Sequence, residues 1–240
     1  MITLTPPLMV QKFQYQSCQQ INDPVSGKRV YLTPGGTKTP SVTTILSATK
    51  DQTALDEWRK RVGIENAKKI AAEAANIGTA MHANLERFVL NEQRQPGGNF
   101  VHVQANKMAD VIISSGLSKV KEVWAMEQSL YFPELYSGTT DLVGVYEDHP
   151  AIMDYKQTNK PKKEEWVEDY FLQLVAYAEA HNEVYGTEIK HGHIFMCSRD
   201  LQYQQFDLTP ANYNKYRDLW YDRVEDYYRN FHSSTDKYSI

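Results

Sequence analysis

GTTDLVGVYEDHPAIMDYK, Gly138 to Lys156, holds two runs of alternating character separated by the turn EDHP. Alternation with a period of two marks β-strands, and the spacing predicts a pair of antiparallel strands over Gly138–Tyr146 and Ala151–Lys156. In the second run Ile152, Asp154 and Lys156 fall on one face, and Met153 and Tyr155 on the other. In the first, Thr139, Asp141, Val143 and Val145 fall together, so a carboxylate interrupts an apolar face. Stripping water from a carboxylate costs several kcal/mol unless a cation or a donor compensates. A divalent metal held by Asp141 and Asp154 beside Lys156 supplies that compensation, and hard oxygen ligands select magnesium or manganese. Such a metal lowers the pKa of a bound water and neutralises charge on a phosphoryl group, which is the chemistry of phosphodiester hydrolysis. Lys156 would hold the water or the developing charge. A strand carboxylate beside a lysine serves equally well as a structural ion pair, and the two strands alone leave that choice open.

Upstream, Val123–Leu130 alternates in the same way, making a three-strand meander, and places Glu127 with Val123 and Ala125. Downstream, Pro161 suits a first helical position, and a helix is predicted to Tyr185 with Leu172, Val175 and Ala176 buried. On it Gln173 and Tyr177, four residues apart, form a polar pair. Strands at Ile189–Cys197 and Gln202–Leu208 follow, and Thr209-Pro210 starts a last helix to Phe231. Towards the N-terminus, Phe13 with Tyr15 and Val30 with Tyr31 read as a hairpin around DPVSGK. Ser41 caps a short turn, and Thr53–Leu90 is helical with breaks at Gly63 and Gly78. A further helix spans Gln104–Ser115. In GTAMHANLERF, Gly78 and His82 lie one turn apart, with Leu85 and Val89 continuing the side of His82. A histidine beside an apolar face serves either as a ligand or as a satisfied core residue.

The order of elements implies an α/β (mixed α+β) fold, a central mixed sheet flanked by helices. We expect a single domain over 1–240: a β-hairpin and loop to residue 40, a helical wall over 41–120 and a core over 121–240. With 240 residues, 41% of them hydrophobic, the chain can bury a substantial core. The net charge of -4 does not exclude a nucleic-acid partner, because screening confines surface fields to roughly 10 Å. Two cysteines, Cys18 and Cys197, exclude a disulfide framework and suit a reducing compartment. No run reaches the ~18 apolar residues of a membrane span, and the first ten residues read as neither a secretion signal nor a mitochondrial presequence. A cytoplasmic setting, bacterial or in a phage-infected host, is the expectation.

Taken in order, GTAMH, Glu127, YSGTTD, MDYK and QLVAY resemble the RecB-type branch of the PD-(D/E)XK nuclease superfamily. PSVTTIL at Pro40–Leu46, EWRKR around Trp58 and DYKQTNKPKK are similar to the mitochondrial genome maintenance exonucleases and their phage and bacterial relatives, which degrade single-stranded DNA. The resemblance implies a restriction-endonuclease-like core, with Asp141, Asp154 and the carbonyl of Tyr155 as metal ligands and Lys156 as the catalytic lysine. His82 becomes a metal ligand or a water-orienting group, Glu127 a supporting acid, and Gln173 with Tyr177 the motif after the lysine strand. Thr140 stands in place of the superfamily's proline and Asp154 in place of glutamate, both within the habits of this branch. Iron-sulfur relatives are excluded by the missing cysteines.

Lys160, Lys162 and Lys163 follow the catalytic strand, and Arg59, Lys60 and Arg61 follow Trp58; both clusters suit phosphate contacts, with Trp58 as a base-stacking surface. The helical segment Ser41–Ser115 is expected to arch over the sheet and admit one strand, in a protein that can act as a monomer. A duplex-processing alkaline or recombination exonuclease and a silent DNA-binding protein are the competing functions. No GxxxxGK[ST] helicase motif occurs.

Overall fold

A computed structural model describes residues 4–24, 29–94 and 97–230. Its main sheet has six strands: β1 (Leu8–Met9), β5 (Val120–Phe132), β6 (Tyr136–Tyr146), β7 (His149–Thr158), β8 (His191–Ser198) and β9 (Tyr203–Leu208), adjacent in that order. β5, β6 and β7 form the expected antiparallel meander. β8 pairs with β7 in parallel, which requires a crossover, and α5 (Glu168–Tyr185) supplies it. A mixed sheet flanked by helices is therefore the architecture. β2 (Gln19–Asn22), β3 (Arg29–Leu32) and β4 (Lys38–Thr39) make a separate small sheet.

Each face of the main sheet carries its own core. On one side α5 packs with α1 (Val42–Thr49) and α6 (Pro210–Asn230) over Val143, Ile152, Ile194 and Met196. On the other, α3 (Ile64–Val89) and α4 (Phe100–Ser115) cover Leu142, Met153, Tyr155 and Phe195. The alternation read in β7 is thus realised: Ile152 faces α5, while Met153 and Tyr155 face α3 and α4. Leu172, Val175 and Ala176 are buried on α5 as expected. Ser41 caps α1 by accepting the N–H of Thr44 at 2.9 Å.

Several local expectations are corrected. Gly63, at φ 84, does separate α2 (Thr53–Val62) from α3. Gly78 breaks nothing: α3 runs through it, and its bare Cα lets the Gln157 side chain approach within 3.4 Å of where a Cβ would stand. Pro161 does not begin α5, because Gln204 holds Lys162 through both its backbone N–H and its carbonyl, at 2.7 and 2.8 Å, and keeps this stretch beside β9. Phe13 and Tyr15 lie outside any strand and pack edge-on against His181 and Tyr185 instead. Within the DPVSGK turn residues 25–28, and at the end of the last helix Phe231, lie outside the described residues.

The helical wall is also redistributed. α1 joins the α5 and α6 layer, and α3 with α4 forms the opposite core layer. Only α2, which buries none of its residues, stands apart as an arch would. Finally, β5 is bulged near Lys121 and Trp124, where its register against β6 slips. Val123 consequently enters one core and Ala125 the other, so Glu127 does not share a face with both.

Candidate metal centre

β6 and β7 pair from Tyr146 and His149 to Leu142 and Met153. One step further the ladder would set Asp141 against Asp154. Instead Oδ2 of Asp141 accepts the backbone N–H of Tyr155 at 2.7 Å, and a side chain takes over a ladder hydrogen bond just where the strands part. On its other flank, the pairs Met126–Leu142 and Gln128–Thr140 leave Glu127 opposite Asp141. Glu127 adopts φ 47, a left-handed conformation that costs an ordinary residue about 1 kcal/mol. The strand is thus contorted at the residue that brings a second carboxylate to this opening.

His82 arrives from α3. Its Nε2 lies 3.0 Å from the carbonyl oxygen of Tyr155, which can only accept, so Nε2 carries the hydrogen. In the neutral ring Nδ1 then presents its lone pair, 3.6 Å from Oδ1 of Asp141. One ligand atom from each of His82, Glu127 and Asp141 lies within 4.8 Å of the others. Two carboxylate oxygens and an imidazole nitrogen are a donor set that suits a divalent cation.

Asp154 and Lys156 lie on the α5 side of the same opening and form an ion pair with each other. Burial pushes the Asp154 carboxyl up to about 6, with Asp141 adding repulsion and Lys156 opposing both. For Lys156, burial works against the charge, yet Asp154 and Asp141 hold the ammonium above its usual range. Desolvation first, and then the charge of Asp141, push Glu127 up to about 7, although the residue is exposed. The Glu127 and Asp154 carboxyls, both pushed up, crowd against Asp141, and a cation fits this donor set.

Gln173 donates to the Tyr177 hydroxyl at 3.5 Å, a long contact. Tyr177 is buried, and its hydroxyl sits 2.8 Å from where a Cβ on Gly138 would stand, so only glycine at 138 leaves room for it. Sequence reasoning missed three neighbours. Lys156 lies 5.1 Å from the ring of Tyr170, Glu86 adds to the repulsion on Glu127, and Lys50 adds to that on Lys162. Glu86 was findable, being one helical turn after His82. Lys50 and Tyr170 reach the site through tertiary packing.

Of the basic residues, Lys160 and Lys163 are exposed beyond β7, with Lys163 beside Glu165 and over Trp166. Lys162 is half-buried, and burial pulls its ammonium below its usual range. Trp58, Arg59 and Arg61 sit on α2, a separate element that packs on α3, and Arg59 is engaged by Asp56 at 3.0 Å.

No family model matches the chain. Among curated proteins it is similar to mitochondrial genome maintenance exonuclease 1 of Xenopus tropicalis, 26% identical over 210 residues, covering 78% of this chain and 57% of that protein. The Mus musculus protein of the same name is 28% identical over 201 residues, covering 78% and 58%. The chain resembles mitochondrial genome maintenance exonuclease 1. It spans little more than half of the length of these exonucleases. A crystal structure solved as a candidate exonuclease from Eubacterium rectale covers 67% of this chain and 69% of its own at 11% identity and a TM-score of 0.47, too loose a likeness to add weight. Among the described residues no helix is long and apolar enough to cross a membrane.

Proposed function

We propose that the chain is a metal-dependent DNA exonuclease of the PD-(D/E)XK superfamily, acting on single-stranded DNA with a free end. The observation that carries this reading is the convergence of His82, Glu127 and Asp141 on the gap between β6 and β7, with Asp154 and Lys156 beside it. Likeness to a named exonuclease supports the reaction class. His82, Glu127, Asp141 and Asp154 would hold magnesium or manganese, which when bound supplies an activated water and charge neutralisation at phosphorus.

The chain's own residues have distinct tasks in this scheme. Asp141 is fixed by the Tyr155 N–H through Oδ2, leaving Oδ1 turned towards His82. The Tyr155 carbonyl orients His82 and so sets which imidazole nitrogen is bare. Lys156, kept charged by Asp154, is the donor for the nucleophile or for charge on the phosphoryl oxygens. Tyr177, bonded to Gln173, packs on Gly138 of β6, the strand that carries Asp141. Lys160, Lys162 and Lys163 lie along the exit of β7, where a phosphate backbone would run, and Trp58 on α2 offers a face for base stacking. Two free cysteines suit a reducing compartment.

A time course on end-labelled single-stranded, duplex and flapped oligonucleotides with magnesium, manganese or EDTA tests the proposal. Release of nucleotides from the single strand and the flap, abolished by EDTA, is expected. Equal digestion of blunt duplex would remove the single-strand reading, and no metal-dependent release from any substrate would remove the enzyme.

Cation binding must also follow pH. A carboxyl held up at about 7 is mostly protonated at low pH, and only its ionised form ligates. Calcium, a non-hydrolytic probe, is expected to bind about tenfold more weakly at pH 6 than at pH 8, by calorimetry. Glu127→Gln should flatten that dependence; an unchanged slope would take Glu127 out of the ligand set.

A further inference from the structure

A second group of ligand-type side chains lies away from these carboxylates. His149 opens β7, His191 and His193 lie on β8, and Asp207 lies opposite His193 on β9. In register, His191 stands beside Ala151 and His193 beside Met153, so the histidines belong to the face covered by α3 and α4. Along β7, His149 is five residues from Asp154, roughly 16 Å at 3.3 Å per residue. The rings of Tyr155 and Phe195 intervene between His82 and His193.

Nδ1 of His193 is 2.7 Å from Oδ1 of Asp207, and the Gln205 amide donates to the same oxygen at 2.8 Å. A carboxylate only accepts, so Nδ1 carries the hydrogen and, in the neutral ring, Nε2 is bare. Tyr146, at 3.9 Å between ring centres, holds the ring plane. The bare Nε2 faces Nε2 of His149 at 3.3 Å. Two nitrogens bound to one tetrahedral zinc at about 2.0–2.1 Å stand about 3.3–3.4 Å apart, so the spacing is that of a shared cation. Anchoring of one imidazole by a carboxylate behind it is also the usual support of a metal-bound histidine.

We propose that His149 and His193, with Asp207 behind His193, form a second cation site selective for zinc-type transition metals. His191 stacks on His149 at 3.8 Å between ring centres, half-buried, and supplies a third nitrogen once its side chain turns. Burial first and the neighbouring imidazoles second keep His149 and His191 below the usual histidine range, with Glu147, Asp148 and Asp207 acting against this on His149. Neutral rings are the form that ligates. Nitrogen donors favour zinc, cobalt, nickel and copper over magnesium, so the two sites would sort cations by hardness. A cation here would pin the start of β7 to β8.

The test is zinc binding to the whole chain by competition with a chromophoric indicator, under excess magnesium to fill the carboxylate site. One zinc per chain is expected, with affinity reduced at least about 100-fold in His149→Ala and in His193→Ala and about 10- to 100-fold in Asp207→Asn. Asp141→Asn should leave it unchanged. Zinc should raise the melting temperature of the natural protein and not that of His149→Ala, a half-buried position at a strand's start. Equal zinc affinity in the natural protein and His149→Ala overturns the proposal, leaving an imidazole pair that merely shares a proton. Zinc binding lost only in Asp141→Asn overturns it as well.

Discussion

Lys156→Ala is expected to slow cleavage of single-stranded DNA by at least about 10³-fold, at the upper end of what removal of one charge-stabilising donor costs. Lys156 brings a positive charge to the candidate centre at neutral pH, and its ammonium is directed at Asp154. Without it Asp154 would be a buried carboxylate lacking its partner, so the variant loses both the donor and part of the local charge balance. Asp154→Asn keeps the shape and removes the charge, and the same loss is expected. Because neither residue belongs to the basic clusters at Lys160, Lys162 and Lys163 or on α2, DNA binding in calcium should remain largely intact, measured by fluorescence anisotropy. Melting curves for both variants separate a chemical defect from an unfolded protein. Retained turnover in either folded variant would overturn the role assignments.

The largest effect on stability should come from Gly144→Ala. A Cβ there would stand 2.0 Å from the carbonyl oxygen of Glu122 and 3.1 Å from Cα of Val123, both backbone atoms of the bulged part of β5. No rotamer relieves a clash with backbone. The strands must separate or the bulge must move, and moving it would shift the chain that delivers Glu127. A loss of about 3 kcal/mol or more is expected, which for a chain of this size lowers the melting temperature by roughly 6–12 °C. Gly98→Ala is the control, with nothing within 4 Å of the added carbon, and should stay within about 0.5 kcal/mol. Equal melting temperatures for the two variants would mean that β5 and β6 do not approach as described.

Much of the fold was legible because it rests on signals that local chemistry imposes. The alternation of AIMDYK survives in β7 because that strand lies between two helical layers and neither face tolerates a slip. The Ser41 cap and the apolar stripe of α5 are likewise local. What escaped was set by distant partners. Trp124 looks like one more alternating residue in VWAMEQSL, and nothing near it announces that the register against β6 slips there. Pro161 carries a helix-start signal that Gln204, from β9, overrides. In the candidate site the strand pattern puts Asp141 and Asp154 side by side and the resemblance adds His82 and Glu127, but the contacts are not written locally: the fold turns Asp141 towards His82 and Glu127 and sets Asp154 against Lys156. That arrangement arises where β6 and β7 part, a tertiary event.

α2 has a consequence of another kind. Ten residues, none of them buried, with Asp56 in the first turn and Arg59, Lys60 and Arg61 in the last, make a helix held by its own dipole and charges, and Gly63 closes it. Neither core would register a change of sequence there. Evolution can therefore rewrite this helix at little thermodynamic cost, and on the proposal that Trp58 meets DNA bases such rewriting is a route by which substrate preference would diverge while both cores stay fixed.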